Sequence, residues 1–325
     1  MKQAFLSALA VAFTIPLLAQ TSAEPPVSDS VSVNYVMIPF TALGPKGAPI
    51  TDLRERDVTL LIDGRPVAVD LFEKSLNAPV SFSILLDGSG SMALAGKLPA
   101  ARAAVQALID NRKKGDEYAL FMFDDREVHE LVPFTQDGSK ILVGLEAVKP
   151  WGKTAFFDAL AKLPQRDELG KNPSRAIILV SDGIDNNSRL TRLQLAAKLE
   201  GVTIPIYALA PRDPQITRVK GRKVTQELSD EEVLAEVASS TGGKMFLGTK
   251  PQHFQSAIKS LNGDLRAQYL IGFPPTGRGA VRYRRITLKT ADRVRTVRVR
   301  AGYNGTEPPT LSATQKPKRN TKKGS

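Results

Sequence analysis

The stretch Ser83-Ile-Leu-Leu-Asp-Gly-Ser-Gly-Ser-Met92 ends an apolar run in three oxygen-bearing side chains at alternate positions, Asp87, Ser89 and Ser91. Gly88 and Gly90 separate them, and glycine lets the backbone turn tightly enough for three side chains to converge. Ligation by oxygen alone suits a hard divalent cation, Mg²⁺ above all, with Mn²⁺ or Ca²⁺ as substitutes. Two further donors follow other apolar runs: Thr154 in Gly152-Lys153-Thr154-Ala155, and Asp182 in Val180-Ser181-Asp182-Gly183. They complete a five-member set if the fold brings their loops to the Asp87 turn.

The elements around these residues alternate. Ser81–Leu86, Tyr118–Phe123, Val128–Phe134, Ala176–Val180, Thr203–Leu209 and Met245–Leu247 read as strands. Between and after them, apolar residues recur at helical spacing, as at Leu94, Leu98, Ala101, Val105 and Leu108. Helices are expected near residues 141–148, 190–199, 231–239 and 254–261, with a short apolar segment at 156–160. This alternation predicts an α/β domain over residues 78–262, a doubly wound, mainly parallel sheet covered on both faces. Such sheets gather ligands beyond the carboxyl ends of their strands, where Asp87 sits.

At these residues the chain resembles a von Willebrand factor type A domain with a metal-ion-dependent adhesion site. That family carries Asp-x-Ser-x-Ser after the first strand, a Thr in a later loop and an Asp after the fourth strand. Asp87, Ser89 and Ser91 match the first element, Thr154 the second and Asp182 the third. The flanks, with Gln268-Tyr269-Leu-Ile-Gly272 and Val299-Arg300-Ala-Gly302-Tyr303, resemble exported bacterial proteins of this type common in acidobacteria. The resemblance implies that a partner protein supplies an Asp or Glu carboxylate to the bound cation. The charge balance agrees with binding: Asp87 and Asp182 roughly neutralise a divalent ion, while the three hydroxyls add ligands without charge. Asp185 is either a tuning residue of this site or a turn residue. Trp151 either lines a partner surface or packs.

Other chemistries fit poorly. A P-loop needs four residues between its glycines, but Gly144 and Gly152 stand eight positions apart. A dehalogenase-type aspartyl nucleophile needs a second Asp where Ser89 stands. The only histidines, His129 and His253, read as an edge-strand residue and a helix-start residue. Ser181 lies outside any Gly-x-Ser-x-Gly elbow. No enzymatic activity is expected.

Outside 78–262 the pattern is β. Val58–Ile62, Asp63-Gly64-Arg65-Pro66 and Val67–Val69 read as a hairpin. Gln268–Phe273, Val281–Leu288 and Val294–Val299 read as strands, with a bulge expected near Arg284-Arg285 to reconcile two apolar phases. The expected organisation is a signal peptide at 1–23, a β segment at 24–77, the α/β domain at 78–262, a β segment at 263–303 and a disordered basic tail at 304–325. The two β segments are expected to pair as a small sandwich-like accessory domain into which the α/β domain is inserted.

Lys2, the apolar run Phe5–Leu18 and Thr21-Ser22-Ala23 form the three regions of an export signal, too short to span a bilayer. The mature chain is therefore expected to be periplasmic, secreted or surface-held, with no transmembrane span. The sequence has no cysteine, which excludes disulfides, thiolate metal sites and thiol catalysis. The net charge of +12 is uneven: residues 266–325 hold fifteen Lys and Arg against only Asp292 and Glu307. The alternative function is therefore polyanion binding to surface polysaccharide, lipid or nucleic acid through this segment, from Arg282 to Lys323.

Overall fold

Val80–Asp87 is buried at every position. Such a strand needs a neighbour on each side and a layer over each face. A computed structural model describes residues 35–125, 127–167, 170–211, 230–248 and 250–309. In it β1 (Val36–Leu43), β2 (Val58–Ile62), β3 (Arg65–Pro66) and β4 (Leu71–Leu76) precede this central strand, β5. Strands β6 (Glu117–Phe123), β7 (Val128–Thr135), β8 (Ser174–Val180), β9 (Ile206–Pro211) and β10 (Met245–Gly248) join β5 in one sheet. Its order is β10-β9-β8-β5-β6-β7, and only the edge strand β7 runs antiparallel.

Six α-helices among the described residues cover the two faces. They are α1 (Lys97–Asp110), α2 (Gly138–Glu146), α3 (Phe156–Asp167), α4 (Arg192–Leu199), α5 (Asp230–Ser240) and α6 (Pro251–Leu265). Phe82, Ile84 and Leu86 of β5 pack with α1, α2 and α6, while Leu85 packs on the side of α3, α4 and α5. The period of two along a strand sends alternate residues to opposite layers. This is the doubly wound, mainly parallel α/β sheet expected from the sequence.

The chain on either side of that unit builds a sandwich. Strands β11 (Ala267–Phe273), β12 (Arg282–Thr290), β13 (Thr296–Val299) and β14 (Gly302–Gly305) follow α6. One sheet has the order β13-β1-β11-β4 and the other β14-β12-β2-β3. Each draws strands from both sides of the α/β unit. Ile38, Phe40, Leu60, Ile62, Ile271 and Phe273 share the core between them. Tyr269 stacks on Phe40 at 5.2 Å, and its hydroxyl accepts from Leu53 N and donates to Ile50 O.

Several local expectations are corrected. β12 is continuous: it pairs with β14 through Arg282–Arg285 and with β2 through Ile286–Thr290, without a bulge at Arg284-Arg285. The apparent change of phase arises because Arg284 itself is buried in step with Ile286. Its guanidinium donates to Gly305 O at 3.0 Å and to Asp63 at 3.3 Å. The strands β4 and β14 were not expected. The first reads as charged and half-exposed, and the second contains two glycines. β14 carries ordered pairing to Gly305, past the start of the tail expected at 304. The helix α3 runs on to Asp167, beyond the apolar segment 156–160. The proposed signal at 1–23, the strand start at Val31 and Val33, and residues 310–325 lie outside the described residues. Among those described, no helix is long and apolar enough to cross a membrane.

A buried ion pair closes the neck where the chain enters and leaves the α/β unit. Arg266 Nη2 donates to Asp116 Oδ2 at 2.6 Å, and Arg266 Nη1 donates to Ala78 O at 2.9 Å. Asp116 also accepts from Val80 N and Lys113 N. Removing one member of such a pair leaves the other charged and buried, which costs about 3–5 kcal/mol. Urea unfolding of Arg266→Met should therefore show a loss of that size, larger than for Met at exposed Arg295.

Candidate functional site

The pairing register places the first two elements of the site. Leu86 is opposite Val180, so Asp87 and Ser181 stand level, one step beyond. Both point to the α3 side of the sheet, in phase with Leu85 and Leu179. Ser181 Oγ donates to Asp87 Oδ2 at 2.6 Å, and Ser89 N donates to Asp87 Oδ1 at 2.9 Å. The strand order reverses here, since β6 follows β5 on one flank and β8 lies on the other. This is the switch point of an open α/β sheet, where a crevice forms.

Backbone hydrogen bonds then lace three loops together. Trp151 N donates to Gly88 O at 2.9 Å, and Gly90 N donates to Gly152 O at 3.0 Å. A Cβ at Gly90 would lie 3.1 Å from Gly152 O, and Gly152 has a φ of +81°. The glycines therefore allow a close approach of two backbones as well as a tight turn. Thr154, two residues on, is buried. Its N–H donates to Asn186 Oδ1 at 2.9 Å, while its carbonyl accepts from Asn186 N and Asn187 N. The loop after β8 thus grips the loop before α3.

Each expected ligand has a definite place. Asp87, Ser89 and Thr154 are buried, and Ser91 and Asp182 are half-buried. Ser89 Oγ lies 3.0 Å from Ser91 Oγ. Thr154 and Asp182 join the Asp87 turn through their neighbours, Gly152 and Ser181. Asp182 Oδ2 accepts from Lys97 Nζ at 2.7 Å, and Asp182 Oδ1 accepts from Ile184 N at 3.2 Å.

The charges are unequal. Lys97 neutralises Asp182, whereas Asp87 meets hydroxyl and amide donors. Burial, opposed by the hydrogen bonds from Ser181 and Ser89 and reinforced by the Asp182 charge, pushes the Asp87 carboxyl up to about 6. A buried carboxylate beside a second carboxylate and clustered hydroxyls is a donor set that fits a hard cation. Among the described residues, no three His, Cys, Asp or Glu side chains gather as a metal site. A cation held here therefore needs the hydroxyls too.

Several positioning residues were not recognised in the sequence. Lys97, at the start of α1, is the partner of Asp182. Asn186 holds Thr154. Asp185 caps α3: its Oδ1 accepts from Phe156 N at 2.9 Å and from Ser188 Oγ at 2.6 Å. The helix it caps starts about thirty residues earlier in the sequence, beyond the reach of local spacing. Trp151 is 75% exposed, on the rim beside Gly88. His129 lies on the edge strand, with Nε2 3.0 Å from Asp124 Oδ2.

Residues 82–184, which span the Asp87 turn, the Thr154 loop and Asp182, match the family model described as the von Willebrand factor type A domain. Over those residues the chain is similar to a type A domain. Similar solved structures include the von Willebrand factor type A protein from Catenulispora acidiphila, at 12% identity over 88% of this chain and 76% of that one, with a TM-score of 0.48. An aerotolerance-related membrane protein from Bacteroides fragilis is 21% identical over 57% of this chain and 98% of its own, with a TM-score of 0.44. The vWF domain of the type V pili tip protein Mfa5 from Porphyromonas gingivalis is 14% identical over 64% and 99%, with a TM-score of 0.45. Comparison with curated proteins finds no match.

The raised Asp87 carboxyl makes a signed prediction about the type A domain. Its folded value of about 6 exceeds the ordinary 3.8. The stabilising effect of its proton is complete below pH 3.8 and is lost as pH rises through 6. About two pKa units correspond to roughly 3 kcal/mol. In chelator, Asp87→Asn should therefore unfold at higher urea than the parent at pH 8. The advantage should shrink towards zero at pH 4.

Proposed function

We propose that the type A domain holds Mg²⁺ on Asp87, Ser89, Ser91, Thr154 and Asp182 and presents it to a carboxylate of a protein ligand. The observation that carries this reading is the uncompensated Asp87 carboxylate at the centre of three interlocked loops. In it Ser181, Ser89 and Asn186 orient the donors, while Lys97 shares Asp182. A bound cation would supply Lewis acidity toward an outside anion and would offset the Asp87–Asp182 repulsion. Mn²⁺ or Ca²⁺ would serve as substitutes. The role inferred for this donor set is recognition.

The protein would act after export, in adhesion or in extracytoplasmic assembly. The exposed Trp151 and Leu94, which flank the Asp87 turn, supply apolar contact beside the cation. Aromatic residues at such positions are frequent centres of binding energy.

Polyanion binding draws less support. Of the strand arginines, Arg282 and Arg284 pair with Asp63, Arg293 with Asp52 and Arg298 with Asp264. Arg285 and Arg295 remain exposed. Arg284 is buried and Arg298 half-buried, whereas Arg282 and Arg293 stay exposed although each has a carboxylate partner.

Pulldown from the source envelope, with and without EDTA, is the direct test. Asp87→Ala should abolish Mg²⁺-dependent capture and leave the circular dichroism unchanged. Capture that survives in this variant would overturn the assignment, and capture lost only at high salt would favour the basic segment. Lys97→Met removes a cation from beside Asp182, so Mg²⁺ affinity measured by calorimetry should rise several-fold.

A further inference from the structure

The second site lies at the opposite end of the parallel sheet. A cleft with a volume of about 720 Å³ opens between β1 and β11 of the sandwich and the start of β8 with the α4–β9 link. Its lining includes two arginines, Arg175 and Arg300, and no Asp or Glu. Arg300 comes from the sandwich and Arg175 from the type A domain, so the cleft carries positive charge from both sides.

Arg300 is the unusual group. It is 4% exposed, and it contacts neutral groups. Its Nη2 donates to Met37 O at 3.1 Å, its guanidinium stands 5.8 Å from the Tyr303 ring, and its Nε has no hydrogen-bond partner. The buried Tyr303 hydroxyl, on the same wall, also lacks a partner. Burial pushes the Arg300 guanidinium down to about 10, so it remains charged at neutral pH. Arg175 is oriented by carbonyls, with Nε on Asn172 O and Nη2 on Gly170 O. Carbonyls fix the direction of both groups but neutralise neither.

A buried charge is costly unless it is paired. The other buried or half-buried arginines of the sandwich and the neck named above have carboxylates, Arg284 with Asp63, Arg298 with Asp264 and Arg266 with Asp116. Arg300, which lines the cleft, is the one of these four without a carboxylate partner. The guanidinium fork matches planar anions. Ile204, Pro205 and Leu270 add apolar wall, and the volume lies within the range of small-ligand sites.

We propose that this cleft binds an organic acid, a carboxylate on an apolar body, with Arg300 and Arg175 receiving the carboxylate. The acid is either a free small molecule or part of an acidic peptide. This site is independent of the cation site at Asp87.

The test uses the full chain in EDTA, at ionic strength held constant with NaCl. Suberate and 4-phenylbutyrate represent free acids, and the peptide (Glu-Leu)₃ represents the peptide source. Binding should raise Tm saturably by a few degrees and should shift the Arg300 Nε–H resonance saturably. Arg300→Gln and Arg175→Gln should each weaken binding by about tenfold or more, the size of a lost charged hydrogen bond, while Asp87→Ala leaves it unchanged. Response to the free acids identifies a small-molecule site, and response to the peptide alone identifies a peptide site. Absence of saturable binding by all three probes would overturn the proposal, as would undiminished binding in Arg175→Gln. Should Arg300→Gln fail to fold, the Arg175 variant and the resonance shift still decide.

Discussion

A single buried carboxylate organises the upper rim of this molecule. Asp87 sits where the central strand ends, level with Ser181 on one neighbour and tied through Gly88 to Phe123 on the other. A charge in that position is tolerable only if polar groups converge on it. The loops that bring those groups are therefore constrained in length, in glycine content and in their mutual hydrogen bonds. The Thr154 loop approaches through Gly152, and the loop after β8 follows through Asn186. The hydrogen bonds that hold the loops together are the same ones that assemble the oxygen donors.

The lower end follows a different logic. There the sandwich meets the amino ends of the parallel strands, and charge is mostly paired. The Arg266–Asp116 pair closes the neck, and Arg298 with Asp264 joins β13 to the end of α6, where Thr41 Oγ1 also donates to Asp264 O. Side chains and carbonyls from β1, β13 and α6 thus share one polar seam. A sandwich whose sheets each mix strands from before and after the type A domain makes the inserted domain and its frame hard to separate mechanically.

The arginine-rich strands show how charge count and charge role diverge. In sequence, Arg282, Arg284, Arg285, Arg293, Arg295, Arg298 and Arg300 look like one basic surface. In three dimensions Arg284 and Arg300 turn inward while Arg282, Arg285, Arg293 and Arg295 stay exposed, and acids from distant segments pair with several of them, Asp63 with Arg282 and Arg284, Asp52 with Arg293 and Asp264 with Arg298. Arg284 even disguised its own strand, because a charged residue in the interior phase looked like a break in alternation.

Much of the type A domain was legible in order and type. Apolar runs of strand length, helical spacing between them and small oxygen-bearing residues at run ends are local properties, and these local patterns determined the α/β class and the five candidate ligands. The edge strands β4 and β14 were not legible, because half-exposed pairing needs little apolar patterning. Nor were the partnerships of Lys97 with Asp182, of Asn186 with Thr154, or of Asp185 with the start of α3, each between residues about thirty or more positions apart. Those depend on which strands become neighbours, and parallel pairing is decided by whole-sheet packing rather than by nearby residues. The sequence by itself determined which side chains carry oxygen at strand ends. Only the tertiary structure decided which of them meet, which acquire a counter-charge, and that Arg300 is buried without a carboxylate beside a cleft.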